Sequence, residues 1–312
     1  MIRKFFYHLK DSTVIPEVHG HSPLLNGQKI YNYKYSIARS NFWIFLAKHN
    51  KYYKRFYSEI NEKIVSPSLM DLKSENLNEL CNKLDKFGVS YIPDFFPSSQ
   101  YEDVLKEIHN EKKGDSSRPN DGLYGNVKYW NHFLKKDNSY LDNLKNSISY
   151  ISEKLLFPIS KNRIRINYSR LTKKDQIEDG DPNTIFHSDR FIPTLKFFYY
   201  PYACNIDSAP FEFIPFSHYI NDSFINSYKK YMLDVSKNLK APNPCAIDYK
   251  NGIKPISLTV PKNSLVAAYT NGMHRRRPFP QRDKNNSTFE RNTIVTLLYN
   301  QQTKLSFLKL SL

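Results

Sequence analysis

The segment Thr184-Ile185-Phe186-His187-Ser188-Asp189 sets an imidazole and a carboxylate two residues apart. In an extended strand alternate side chains leave the same face, so His187 and Asp189 can reach one cation together. A second imidazole, His274, follows the apolar run Ser264 to Thr270 by a short turn, and enough chain separates it from His187 for that strand to fold back beside the first. Two imidazoles and one carboxylate on one side of iron(II) leave the opposite positions for a bidentate cosubstrate and dioxygen, the facial donor set of non-haem iron oxygenases. A chain with 9 His can hold one H-x-D triplet by chance, so the weight falls on its neighbours.

After the triplet the chain reads KFFYYPYACNIDSAPFEFIPFSH from Lys196 to His218. This order of a Lys-bearing strand, an acidic turn at Asn205 to Ser208, Pro210-Phe211 and Pro215-Phe216-Ser217-His218 resembles the phytanoyl-CoA dioxygenase family of iron(II)- and 2-oxoglutarate-dependent oxygenases. The resemblance reaches back to the helix, strand and helix of Leu84 to Ile108. It reaches forward to Gly272-Met273-His274-Arg275-Arg276 and to Arg291 in ERNTIVTLLY, covering roughly residues 76 to 302. Departures from the pattern are Tyr200-Pro201-Tyr202 in place of Leu-x-Asp, Ala209 where Gly is common, and Phe216 in place of the Gly before Ser-His.

The resemblance implies iron(II) on His187, Asp189 and His274, with Arg291 gripping a 2-oxoglutarate carboxylate. A guanidinium suits that role because its planar fork donates two parallel hydrogen bonds and keeps its charge. Arg275, Arg276, Arg277 and Arg282 are rivals, and the stretch 278–289 reads as an inserted loop. Lys196 either faces the interior, where it would need an anionic partner, or reaches out to solvent. Asn167, Tyr168 and Ser169 are candidates for a further bond to 2-oxoglutarate. His218 is expected to hydrogen-bond in the core rather than ligate, and His19-Gly20-His21 to be surface. The implied reaction hydroxylates a small molecule while 2-oxoglutarate is decarboxylated to succinate and carbon dioxide. Asp189 favours hydroxylation over halogenation, because related halogenating enzymes carry a small residue there. Two rivals stand beside it: a catalytically silent jelly-roll module that binds a glycan, a lipid or another anionic partner, and a cupin-like metal enzyme that uses no 2-oxoglutarate.

Holding such groups takes strands backed by a firm layer. SENLNELCNKLDKFG predicts a helix ended by Gly88, VSYIPDFF a strand, SSQYEDVLKEIHNEK a helix from Ser98 or Ser99, and YLDNLKNSISYISEKLL another. Residues 113 to 136 are polar and turn-rich and predict a loop. After Pro158 come short β-type segments, RIRINYSRL, TIFHSD, TLKFFYYPYA, FEFIPFS, ISLTV, SLVAAYT and NTIVTLLYN. The expected fold is α+β, mainly β: a double-stranded β-helix (jelly roll, cupin-like) backed by N-terminal helices. Residues 1–75 form a basic aromatic extension, whose helical spacing of Phe42, Ile44, Phe45, Tyr52, Phe56 and Ile60 predicts packing on the main domain, 76–312.

An aromatic content of 15%, with 23 Tyr and 21 Phe, excludes a disordered or fibrous chain. The charge of +16 gives a weak preference for an anionic or sugar-bearing small molecule. Nucleic acid is disfavoured, because no basic run or aromatic-basic repeat sharpens the charge. Cys81, Cys204 and Cys245 form neither a disulfide framework nor a zinc motif, and no apolar run is long enough to span a bilayer. A soluble, cytoplasmic protein is the expectation.

Overall fold

Asn76 opens helix α1 (Leu77–Phe87): its side chain accepts from the Glu79 amide at 3.0 Å, satisfying one of the donors a helix start leaves unpaired. Gly88 closes the helix at φ 84 and returns its N–H to the Leu84 carbonyl. The chain turns there directly into strand β1 (Val89–Ile92), buried along its length. Helices α2 (Ser98–Gly114) and α3 (Ser139–Lys154) follow. The computed structural model describes residues 56, 65–114, 122–124, 127–133, 139–155, 164, 166–173, 182–188, 194–219, 252–279 and 289–298. In 107–114, 122–124, 127–133, 166–173 and, except for Thr293, 289–298, and at 139, 141 and 182, it describes the backbone alone.

Among the described residues, nine further strands complete two antiparallel sheets. They are β2 (Gly122–Tyr124), β3 (Val127–Phe133), β4 (Ile166–Lys173), β5 (Leu195–Tyr200), β6 (Phe211–Phe213), β7 (Ile256–Ser257), β8 (Ser264–Tyr269), β9 (His274–Arg276) and β10 (Phe289–Leu298). The larger sheet runs β1-β8-β5-β10-β4-β3-β2 and the smaller β7-β6-β9. Residues 113–136 are therefore not all loop, because β2 and β3 lie within them. The interleaved Lys, Asn and His of VKYWNHF hide the strand period, and the strand is completed by pairing with β4 along its whole length.

Alternation on β5 and β8 sorts their side chains into two cores. Leu195, Phe197 and Tyr199, with Leu265, Ala267 and Tyr269, meet Leu80 and Leu84 of α1, Val104 of α2, and Leu144, Ile148 and Ile151 of α3. From the opposite face Phe198, Tyr200, Val266 and Ala268 meet Phe211 and Phe213 of β6. Each fully buried large side chain contributes about 1.5–3 kcal/mol, so both faces of the larger sheet are anchored. Phe56, from the N-terminal stretch, is 2% exposed and sets its ring edge-on to Tyr269 at 5.0 Å. The other residues of its helical stripe, and His19 and His21, lie outside the described residues. Asn263, at φ 58, ties the start of β8 to the loop after β1, donating to the Phe96 carbonyl at 2.8 Å and accepting from the Tyr199 hydroxyl at 3.0 Å. Among the described residues no helix is long and apolar enough to cross a membrane.

Candidate metal site

His187 and His274 are direct cross-strand partners. Each amide donates to the other's carbonyl at 2.9 Å, the reciprocal exchange of an antiparallel hydrogen-bonded pair, in which both side chains leave the same face. Their rings stand 4.4 Å apart, centroid to centroid, at 54°, and the residues are 5% and 3% exposed. On β9 and β6, His274 pairs with Phe213, and the Phe211 ring lies 5.3 Å from the His274 ring. The two imidazoles therefore belong to the face of the smaller sheet that meets the larger one.

Both rings are oriented in the same way. His187 Nδ1 is 2.7 Å from the Ile185 carbonyl and His274 Nδ1 is 2.9 Å from the Gly272 carbonyl. A carbonyl oxygen only accepts, so each Nδ1 carries the proton and each Nε2 is the basic nitrogen. Imidazoles that ligate metals are held in this way, the distal nitrogen fixed by a backbone acceptor. Gly272 serves twice. Its carbonyl orients His274, and its missing side chain leaves room for the Phe213 ring, since a Cβ there would lie 2.5 Å from Phe213 Cζ.

Asp189 lies outside the described residues, as does Arg282. Among the described residues no group of three His, Cys, Asp or Glu gathers for a metal. Lys196 is half-buried on the face of β5 that meets the smaller sheet, its Nζ 5.6 Å from the Phe198 ring centroid. The Phe198 ring in turn lies 4.9 Å from that of Phe211. The side chains of Arg291, Asn167 and Tyr168 are outside the description, but their register is on it. Val295 pairs with both Phe198 and Asn167, and Arg291 lies four residues before Val295, so by register Asn167 and Arg291 fall on the face that carries Phe198. Tyr168 pairs with Ile294 and falls on the opposite face.

The rival arginines divide by the same alternation. Arg275 Nε and Arg277 Nη1 reach the Glu212 carboxylate at 2.6 and 2.8 Å, and Ser257 Oγ donates to it at 2.6 Å. Burial pushes the Glu212 carboxyl up, but the bonds from Ser257, Arg275 and Arg277 outweigh it and hold the group below its usual range. The Arg275 guanidinium also stacks 4.3 Å over Phe186, beside His187. Arg276 is buried, pairs with Phe211, and lies 5.1 Å from the Phe279 ring.

His218 is buried, and the contacts of its ring are with other groups than the histidine pair. Its Nε2 donates to the Asp85 carbonyl at 3.0 Å and its ring stacks parallel to Tyr269 at 5.5 Å. Burial pulls its pKa down to about 4, so it is a neutral core group. Two departures from the resembled pattern have a backbone meaning: Ala209 and Phe216, both standing where Gly is usual, sit at φ 52 and 65. The sequence reading missed Ser188 and Asn271, which carry no metal-ligand signature, and their bonds are described below.

No protein-family model matches the chain, and no curated protein matches it. Among solved structures it is similar to a prolyl-4-hydroxylase of Pseudomonas putida, at TM-score 0.44 and 10% identity over 71% of this chain and 97% of that one. It is similar also to the epimerase SnoN in complex with Fe3+, alpha ketoglutarate and nogalamycin RO, at 0.43 and 11%, over 71% and 82% of the two chains. A third similarity is to HygX of Streptomyces hygroscopicus with nickel and 2-oxoglutarate bound, at 0.37 and 13%, over 69% and 84%.

Proposed function

We propose that the chain is an iron(II)- and 2-oxoglutarate-dependent oxygenase that hydroxylates a small molecule in the space between its two sheets. The observation that carries this reading is the His187–His274 pair: two buried rings 4.4 Å apart, each with Nδ1 donating to a backbone carbonyl and Nε2 left as the basic nitrogen. The strand order supports the jelly roll on which such sites are built. In chain order β4, β5, β8 and β10 belong to the larger sheet, while the His187 bridge, β6, β7 and β9 belong to the smaller, so the chain winds back and forth between them.

His187, His274 and Asp189 would hold the metal, the carboxylate offsetting part of its charge. Arg291 would bind the far carboxylate of 2-oxoglutarate, with Lys196, Asn167 and Tyr168 as candidates for further contacts. Once bound, iron and 2-oxoglutarate supply the oxidative chemistry, in which dioxygen is consumed, the cosubstrate leaves as succinate and carbon dioxide, and a carbon–hydrogen bond of the substrate becomes a carbon–oxygen bond. The chain's own residues bind and orient. The Nδ1–H bonds keep the rings from turning, and Phe198, Phe211 and Phe213 exclude water. Buried thiols at Cys81 and Cys204 go with a reducing compartment, and the cytoplasm is the proposed location.

The test is succinate release from 2-oxoglutarate by the purified chain under air, with and without iron(II). Iron-dependent release, lost in Arg291→Ala, is the expected result. A silent binding module would release none under any metal, and a cupin-like enzyme of another reaction type would show no affinity for 2-oxoglutarate to lose.

A further inference from the structure

Two hydrogen-bonded seams hold the histidine pair in place, and neither contains a metal-ligand residue. Ser188, between His187 and Asp189 in the sequence, is 2% exposed and donates through Oγ to the Asn271 carbonyl at 2.9 Å. Asn271 is fully buried, three residues ahead of His274, and its Nδ2 donates to the His218 carbonyl at 2.8 Å. Ser217, also fully buried, accepts the Met273 amide at 2.7 Å and donates to the Ile214 carbonyl at 2.6 Å. The Ile214 amide completes the seam on the Met273 carbonyl at 2.9 Å.

The turn 271–273 is thus clamped from both sides, and it carries the Gly272 carbonyl that orients the His274 ring. The same turn receives the His187-Ser188 strand through the Ser188 hydroxyl. Hydroxyls buried to this extent keep one geometry, because a rotated Oγ would leave a buried donor unsatisfied at a cost of about 1–3 kcal/mol.

We propose that Ser188, Asn271 and Ser217 are positioning residues of the metal site, a latch that fixes His187 and His274 to one turn so that both Nε2 atoms meet a single cation. The proposal rests on the oxygenase reading of the previous section. Residues of this kind typically change metal affinity about 10- to 100-fold when removed, although they touch no metal.

The test uses cobalt(II) as the probe on the full chain, read by calorimetry and by the visible ligand-field absorption of the bound ion. Ser188→Ala and Ser217→Ala each delete one hydroxyl and add no bulk. The expected result is cooperative unfolding like that of the parent, with cobalt(II) affinity lowered about tenfold or more and an altered absorption spectrum. A purely structural role would lower stability and leave the spectrum of the loaded site unchanged. Wild-type affinity within twofold together with an unchanged spectrum in either folded variant overturns the latch. Absence of saturable cobalt(II) uptake by the wild-type chain instead overturns the metal site itself, so the two failures are distinguishable.

Discussion

Substituting Gly272→Ala probes how closely the fold and the metal site are joined. No left-handed φ is recorded at Gly272, so a methyl there meets only the problem of space. That Cβ would lie 2.5 Å from Phe213 Cζ, 2.9 Å from Cε2 and 3.0 Å from Ser217 Oγ. Carbon atoms in contact prefer about 3.5–4.0 Å, so the ring must retreat by about 1 Å. Phe213 is fully buried between the sheets and is the cross-strand partner of His274, so its retreat pushes on β9. Overpacking of this kind costs about 1–3 kcal/mol. Moving the carbonyl that orients His274 should lower metal affinity about 10- to 100-fold as well. Urea unfolding gives the first quantity and cobalt(II) calorimetry the second. A variant with parental stability and parental affinity would refute the reasoning, because it would mean that the ring yields without strain and that the turn does not govern the ligand.

Other outcomes follow from single residues. Because His218 has its folded pKa depressed from 6.5 to about 4, the unfolded chain takes up a proton that the folded one refuses, and stability falls as pH drops from 6.5 toward 4 by about 3 kcal/mol. Urea unfolding across that range should show a component of that slope, and His218→Gln should remove it. Glu212→Gln should destabilise by about 2 kcal/mol, less than a wholly buried pair would, since Arg277 is 41% exposed and can turn to solvent. The same method measures it, and an unchanged midpoint would contradict the ion-pair account. Ala209→Gly should be close to neutral in thermal unfolding instead of costing the usual ~1 kcal/mol, because relief of the left-handed backbone at φ 52 offsets the added freedom of the unfolded chain.

The elements of the helical layer were readable because their signals are local: Gly88 ends α1, and Leu80 and Leu84 face the core as spaced. So were the strands of residues 195–200 and 264–269, whose apolar runs suit a sheet buried on both faces. β3 was missed because its identity lies in a partner strand, and a single sequence shows no pairing. The approach of His187 to His274 was expected from the type of the residues, but the reciprocal backbone exchange that enforces it was not, since register is set by the whole sheet. Ser188 and Asn271 were invisible for a related reason. Their roles run through backbone carbonyls, which every residue has and no residue type advertises. The choice of Arg291 over its neighbours came from the resemblance and from its place on a strand, and Arg275 and Arg277 turn to Glu212 on the other side of the smaller sheet.

The most direct test of the central claim is anaerobic calorimetry of iron(II) binding by the wild-type chain, His187→Ala and His274→Ala, each followed by addition of 2-oxoglutarate. The account expects one iron per wild-type chain, loss of that binding in both variants, and 2-oxoglutarate uptake only after the metal is in place. Iron bound equally well without either imidazole, or 2-oxoglutarate bound equally well without iron, would contradict it.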